Sequence, residues 1–329
     1  DGRNDPGFNF RLHDFGSRGV SSLDSAQMGG AAHLLTGWMG TDTYVAVPFL
    51  VDHYRANPAA TAFSIPAMEH STVTSWGREG ERDAVLNMIR NYGREGGLLA
   101  AVGDSYNIFE FTQMCTDPNG DIAKEVKARK CLLVLRPDSG EPTAILPEMM
   151  KTIERNAGSV VNKKGYRVFN HFRIIWGDGI DLQQITRILN LVVNIMGYSP
   201  ENFAFGMGGA LLQVINRDSQ QYAMKCSAVQ LDDGTWRNVY KQPMGVVSKN
   251  SKQGLVETFH SEIEDALYVR DVRDAVEIER LSLVPLMETV FENGKILKRW
   301  SIEEVRHHAE WPLVNATQGH SAGVYAPLV

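Results

Sequence analysis

The sequence predicts a parallel α/β protein, with a β/α barrel favoured over an open doubly wound sheet. Two observations carry this. Short apolar runs recur along the chain, end in glycine- or acid-rich turns, and are followed at several points by segments with helical spacing. The runs are continuous rather than alternating, broken only by Arg173 in 172–176, as in strands buried on both faces of a sheet wrapped by helices. Residues 98–102 lead into Gly103-Asp104-Ser105, 131–135 into Arg136-Pro137-Asp138-Ser139-Gly140, 172–176 into Gly177-Asp178-Gly179, and 203–205 into Gly206-Met207-Gly208-Gly209. After the third turn Ile180, Ile185, Ile188, Leu189, Val192 and Val193 fall at helical spacing; after the fourth, Leu211, Leu212 and Ile215 do. Polar residues just beyond successive strands sit where barrel enzymes gather their catalytic groups, which favours the barrel.

Further along, 225–231, the turn Asp232-Asp233-Gly234 and 236–240 predict an antiparallel hairpin that opens a small sheet region. The expected organisation is a barrel core over 1–225, an antiparallel sheet and helix region over 226–311, and a weakly periodic tail over 312–329. With 329 residues, 43% of them hydrophobic, the chain can bury a large core. A net charge of -6 with scattered cations provides no field for nucleic acid. The longest apolar runs fall short of the roughly 20 residues that span a bilayer, so no membrane segment is expected. Three cysteines without a CxxC pair support neither a disulfide framework nor a zinc site, and a cytoplasmic setting is expected. Asn315-Ala316-Thr317 fits a glycosylation triplet, but nothing at the N-terminus reads as a secretion signal. The first residue is Asp1 rather than Met, so a processed or partial polypeptide is expected.

Three features carry chemistry. Gly206-Met207-Gly208-Gly209 between a strand and a helix suits a phosphate, because glycines admit close backbone approach and a helix start attracts anions. Arg217 and Lys225 follow as cations of the kind a phosphate site needs, though each also reads as a solvated surface charge. Asp104, Asp138, Asp178 and Asp181 cluster just after the apolar runs. Convergent carboxylates suit ribose hydroxyls, Mg²⁺ or a developing positive charge, whereas each taken alone reads equally as a turn or helix-capping residue. His70 is one of nine histidines; it follows the Pro66 turn and precedes a helix expected from Val73, where an imidazole could meet a phosphate. His307 and His308 are adjacent and read as surface, and no metal-binding spacing is present.

Taken in order, His13-Asp14-Phe15-Gly16-Ser17-Arg18-Gly19, Gly40-Thr41-Asp42-Thr43, Ser64-Ile65-Pro66-Ala67-Met68-Glu69-His70-Ser71-Thr72, Gly103-Asp104-Ser105-Tyr106, Arg136-Pro137-Asp138-Ser139-Gly140, Gly177-Asp178-Gly179 and Phe205-Gly206-Met207-Gly208-Gly209 resemble the nicotinamide phosphoribosyltransferases from about Phe10 to about Arg306. The resemblance implies a type II phosphoribosyltransferase-like irregular β/α barrel with an additional small antiparallel sheet. It also implies a pentosyltransferase of NAD salvage that forms nicotinamide mononucleotide and pyrophosphate from nicotinamide and phosphoribosyl pyrophosphate. Mg²⁺ would be bound with the substrate, and ATP would be hydrolysed through a phosphohistidine.

By that resemblance Phe15 stacks on the pyridine ring with Arg18 beside it, and Asp42 accepts a hydrogen bond from the carboxamide. A carboxylate facing an amide gains a charge-assisted bond, while nicotinate would set two negative charges together. Asp104 and Asp138 fall near the reaction centre, Arg136 on the ribose, and Gly177 and Asp178 on the ribosyl moiety. Gly208, Gly209, Arg217 and Lys225 fall on phosphate, and Lys241 and Lys249 on pyrophosphate or nucleotide. His70 becomes the phosphorylated histidine, and a neighbouring acid, Glu69 or Asp104, is expected to orient its ring.

Two departures accompany the resemblance. Family members carry a further N-terminal region that supplies residues to the base site across a homodimer, so a companion N-terminal polypeptide is one expectation. Ala223 and Ala100 also stand where small polar residues are common. Three alternatives have distinct signatures. A nicotinate-using enzyme would need a basic or neutral group in place of Asp42. A non-catalytic binding or signalling protein would not need the full set of charged residues. A metal-dependent hydrolase lacks its histidine ligands.

Overall fold

The computed structural model describes residues 7–219, 223–242 and 251–317, with side chains described as far as residue 309. The chain divides between Ile215 and Asn216 into two compact units, a boundary earlier than the one expected after residue 225.

The first unit is built on β1 (Leu12–Asp14), β2 (Gly40–Thr41), β3 (Leu98–Val102), β4 (Leu132–Arg136), β7 (Phe172–Trp176) and β8 (Phe203–Met207). They form one sheet in the order β2-β1-β8-β7-β4-β3, and every pairing is parallel. The short strands β5 (Ser159–Val161) and β6 (Arg167–Phe169) pair separately as an antiparallel ribbon. Parallel neighbours need crossovers, and helices supply them. The first is α1 (Leu23–Leu35), followed by α2 (Ala46–Tyr54), α3 (Pro58–Thr61), α4 (His70–Thr74) and α5 (Glu81–Tyr92) before β3. Then come α6 (Ile108–Thr116), α7 (Asp121–Arg129), α8 (Pro142–Ala157), α9 (Leu182–Leu189) and, after β8, α10 (Gly209–Leu212).

The uniformly apolar strands are explained by burial on two faces. Leu99, Ala101, Leu133, Leu135, Ile174 and Trp176 point to the main core shared with the helices, while Ala100, Val134 and Ile175 point the other way into a small cluster with Phe15, Ile65 and Ala204. That second cluster contains no helical residue, so helices cover one face only and the doubly wound alternative does not fit. The sheet curls into a parallel half-barrel, and one segment ties its two edges. Thr41 N–H donates to Phe63 O and Phe63 N–H to Met39 O beside β2, while Ala100 N–H donates to Pro66 O and Met68 N–H to Ala100 O on β3. A cavity of about 840 Å³ lies on the inner side, reaching from Leu98, Leu132 and Phe203 at strand starts to His13 and Ser64.

Three local expectations are revised. The helix expected from Val73 begins three residues earlier, at His70, because Glu69 and Thr72 form a reciprocal cap in which Thr72 Oγ1 accepts the Glu69 N–H. Behind the glycine-rich turn α10 is a single turn that ends at Leu212 and leaves Ile215 outside it. The helical spacing after Gly179 is real, capped by Asp181 Oδ1 accepting from Gln184 N–H, but α9 widens into a π turn over Asn190–Ile195.

The second unit holds the expected hairpin, β9 (Ala228–Gln230) and β10 (Trp236–Asn238). A three-stranded antiparallel sheet follows, with β11 (Val256–Ser261) between β12 (Ala266–Asp271) and β13 (Leu283–Pro285). Helix α11 (Ala275–Arg280) precedes β13, and Phe259, Leu281 and Leu283 form the core. The ribbon β14 (Phe291–Glu292) and β15 (Lys295–Ile296) precedes α12 (Ile302–Thr317), which carries the helical backbone past Pro312, where a tail was expected. Among the described residues no helix is long and apolar enough to cross a membrane.

Candidate active site

Parallel strands end on the same side of their sheet, and here their ends are in register. Asp14 lies beside Thr41 and Met207, Trp176 beside Phe205, and Val102 beside Arg136. The residues that follow, Phe15, Asp42, Asp104, Asp138, Gly177 and Gly208, therefore gather at one rim of the half-barrel. They form two walls.

The first wall is built on Asp14, which is fully buried. Its carboxylate accepts from Gly16 N–H at 2.9 Å and from Thr41 Oγ1 at 2.8 Å, and Thr41 Oγ1 accepts in turn from Thr43 N–H at 2.9 Å. The loops after β1 and β2 are thus fixed to each other, and they carry Phe15 and Asp42. The Phe15 ring occupies space that two glycines leave open. A Cβ on Gly206 would lie 2.1 Å from the ring, and one on Gly177 would lie 2.3 Å from it. Arg136 covers the ring, its guanidinium 5.5 Å from the centroid. Asp42 Oδ1 accepts from His13 Nε2 at 3.0 Å and from Ser64 Oγ at 3.2 Å. Burial, the largest influence on Asp42, pushes its carboxyl up. The hydrogen bond and charge of His13, the Ser64 hydroxyl and the charge of Arg136 outweigh it, and the group sits below the usual carboxylate range.

The second wall is centred on His70, the first residue of α4. Its Nδ1 lies 3.1 Å from Glu69 Oε1 and its Nε2 lies 2.9 Å from Asp104 Oδ1, so each acid expected to orient the ring touches it. Asp104 is in turn held by Ser139 Oγ at 2.5 Å. Arg136 donates to Asp138 Oδ2 at 3.0 Å and approaches Glu69 Oε2 at 3.5 Å. It therefore links the two walls, and its buried Nε has no partner among the described residues.

The electrostatics follow from this wiring. Burial acts most strongly on His70 and lowers its pKa, but the two carboxylates bonded to its nitrogens outweigh burial and raise it. Burial likewise pushes Glu69 up, and its bonds to His70 with the charge of Arg136 bring it below the usual value. In Asp138 burial wins, aided by the charge of Asp104 and opposed by Arg136, and the carboxyl titrates above its usual range. The rim thus holds a histidine whose charged form two acids favour, a shielded arginine and an acid that keeps its proton longer than usual.

Among the described residues, the others singled out by the sequence take no part in the hydrogen bonds and ion pairs of the two walls. Arg18 and Asp178 are at the rim but exposed, and the Asp178 backbone oxygen accepts from Trp176 Nε1 at 2.8 Å. Gly208 and Gly209 open α10, a single turn and so a weak dipole. Arg217, Lys225 and Lys241 are exposed side chains of the second unit; Arg217 pairs with Asp218 at 3.2 Å. Lys249 lies outside the described residues. Ala100 sits on β3 facing the Phe15 cluster, and Ala223 is exposed. Among the described residues no group of three or more His, Cys, Asp or Glu is placed to hold a metal ion. The roles of His13, Asp14 and Ser64 were not assigned from the sequence. Nothing in spacing marks them; they belong to quoted motifs, and only the fold shows that they hold Phe15 and Asp42.

A parallel half-barrel whose strand ends join an aromatic ring, a histidine and several acids through one arginine is the plan of an α/β enzyme site. The chain belongs to the nicotinate phosphoribosyltransferase family, whose profile matches residues 10–295. It is 44% identical over 301 residues to a nicotinamide phosphoribosyltransferase of Xanthomonas campestris pv. campestris, covering 92% of this chain and 63% of that protein. Proteins of the same name from Acinetobacter baylyi and Mycoplasma pneumoniae are 28% identical over 313 residues and 32% identical over 259. The matches cover 89% and 74% of this chain and 60% and 53% of those proteins. The chain therefore spans less than two thirds of the length of these relatives.

Proposed function

We propose that this chain is the catalytic part of a nicotinamide phosphoribosyltransferase built on a type II phosphoribosyltransferase barrel, acting in cytoplasmic NAD salvage. The observation that carries the reading is the joining of the two walls by Arg136. A ring-and-carboxylate wall suits a planar amide base, and it stands beside a histidine wired to two acids. The relatives' names support the same base.

In this reading the pyridine ring lies on Phe15 with its carboxamide donating to Asp42, and Arg136 and Asp178 take the ribose. The C1–O bond to pyrophosphate breaks with its electron pair leaving on the pyrophosphate, and the lone pair of the pyridine nitrogen closes on C1. Asp104 and Asp138 stabilise the positive charge that builds on the ribose between these events. Gly208, Gly209, Arg217, Lys225, Lys241 and Lys249 serve the phosphates. Oxygen donors such as Asp104 and Asp138 fit Mg²⁺ held mainly by substrate phosphates, and the ion would neutralise the departing pyrophosphate.

ATP phosphorylates His70: a ring nitrogen forms the N–P bond as the γ-phosphorus–oxygen bond breaks, and ADP leaves with the electron pair. Both nitrogens face carboxylates, so the ring must first give up a proton and one of those contacts. Glu69 is 62% exposed against 10% for Asp104, which makes Nδ1 the nitrogen more easily freed. The working protein in this reading is a homodimer, completed by a preceding segment or a companion polypeptide of the kind the longer relatives contain.

The test is product formation by the full protein from phosphoribosyl pyrophosphate and Mg²⁺ with each base. Nicotinamide mononucleotide is expected from nicotinamide. Product from nicotinate alone would overturn the base assignment, and product from neither would favour a non-catalytic binding protein. His70→Ala should abolish stimulation by ATP while leaving slow transfer; unchanged stimulation would refute the phosphohistidine.

A further inference from the structure

We propose that His13 is a positioning residue for base recognition, one that holds Asp42 by Oδ1 so that Oδ2 is left for the carboxamide of the base; this rests on the nicotinamide reading above. Three contacts fix the imidazole. His13 sits on β1 directly opposite Gly40 of β2, and a Cβ on Gly40 would lie 2.4 Å from its Nδ1, so the ring rests on bare backbone. The Phe15 ring meets it edge-on at 5.7 Å. Its side chain is only 15% exposed, with Nε2 directed at Asp42 Oδ1 across 3.0 Å.

The chemistry of the pair determines the direction of the effect. A carboxylate oxygen only accepts, so Nε2 carries the proton and donates. Ser64 donates to the same oxygen at 3.2 Å, and Oδ2 takes no hydrogen bond among the described residues. A free aspartate turns about its terminal torsion and presents either oxygen; two donors on Oδ1 remove that freedom. The ionised form is favoured as well, since both donors need an acceptor. An amide N–H then meets a carboxylate already oriented, and the ordering cost is not borne on binding. Asp42 supplies the contact with the base, and His13 acts through it.

The variants that separate donor from bulk are His13→Gln, which keeps an N–H, and His13→Phe, which keeps a ring over Gly40 without one. In the full protein, His13→Phe is expected to raise the KM for nicotinamide about tenfold, the loss of one hydrogen bond to a charged group. The KM for phosphoribosyl pyrophosphate and kcat should stay within about twofold, and His13→Gln should recover most of the loss. In an Asp42→Asn background the same His13→Phe change should have little further effect, because the charge it serves is gone. Wild-type protein that uses nicotinamide, with His13→Phe keeping its nicotinamide KM, would overturn the proposal and leave the base reading standing. Equal rises in both KM values with no recovery in His13→Gln would show a merely structural histidine and overturn it too. Wild-type protein that uses nicotinate instead would overturn the base reading, and the proposal with it.

Discussion

The two walls of the candidate site are made in different ways. Phe15 and the backbone of Asp42 are placed by a fully buried aspartate that ties the loops after β1 and β2 and by two glycines that admit the aromatic ring, with His13 and Ser64 then holding the Asp42 carboxylate. His70, Glu69, Asp104, Arg136 and Asp138 are placed by one another, through ion pairs among side chains from the start of α4 and from the ends of β3 and β4, and His70 itself is 37% exposed. Preformed shape recognises a flat, neutral base, whereas a network of titratable groups changes its charge as chemistry proceeds. Substitutions in the first wall should therefore be read in stability and base affinity, and those in the second in pH dependence.

The largest effect is expected at Asp14. Replacing it with Ala leaves the Thr41 hydroxyl and the Gly16 N–H without their acceptor in a dry site, which costs about 3 kcal/mol. Urea unfolding should show that loss, and the KM for nicotinamide should rise because Phe15 and Asp42 are no longer tied. A loss below about 1 kcal/mol would mean that the wall is held otherwise, and the contrast between the walls would fail.

The same contrast explains what could be read from the sequence. Strands β3, β4 and β7 are legible because their five-residue, mostly apolar runs are long enough to show burial on both faces, and β8 is marked by the aromatic pair Phe203 and Phe205 before a glycine-rich turn. Strands β1 and β2 have three and two residues, too few for any periodicity, and they carry the first wall. Phe15 and Asp42 are therefore legible only through the family motifs, and nothing in the sequence marks a role for His13 or Asp14. The contact of Asp104 with His70 was expected as chemistry, but its geometry depends on the β3 loop meeting the start of α4, which spacing along the chain does not encode. The sequence points to a later start for α4 because its cap is a reciprocal pair, Glu69 at the N-cap and Thr72 inside the first turn, rather than a Ser, Thr, Asp or Asn just ahead of the helix.

A smaller effect is expected at Gly206, where the contrast can be sharpened. Its backbone is not in the left-handed region, so Gly206→Ala tests space alone. The new Cβ would meet the Phe15 ring at 2.1 Å and force it to move, at a cost of about 1–3 kcal/mol. The KM for nicotinamide should rise several-fold while that for phosphoribosyl pyrophosphate holds. Gly208→Ala, whose Cβ would sit 3.8 Å from Phe15, should reverse the pattern and weaken phosphoribosyl pyrophosphate instead. If the two variants behaved alike, the glycine-rich turn would be acting as one unit rather than serving two ligands.

The smallest effect separates the two acids on His70. Its pKa is raised despite burial, so the imidazolium persists above the ordinary histidine range. The stability it contributes is fully present below its unfolded pKa, about 6.5, and is lost as pH rises through the higher folded value. The nucleophilic neutral ring appears over the same rise, so phosphorylation of His70 by ATP should climb with pH above that range. Asp104 is 10% exposed and Glu69 is 62% exposed, so solvent screens the second contact far more than the first. Asp104→Asn should therefore move the His70 titration, followed by ring nitrogen NMR, clearly to lower pH, and the climb in phosphorylation should move with it. Glu69→Gln should move both in the same direction by less. Equal shifts in the two variants would show that Glu69 holds the ring as firmly as Asp104, and Nδ1 would lose its claim to be the nitrogen that attacks ATP.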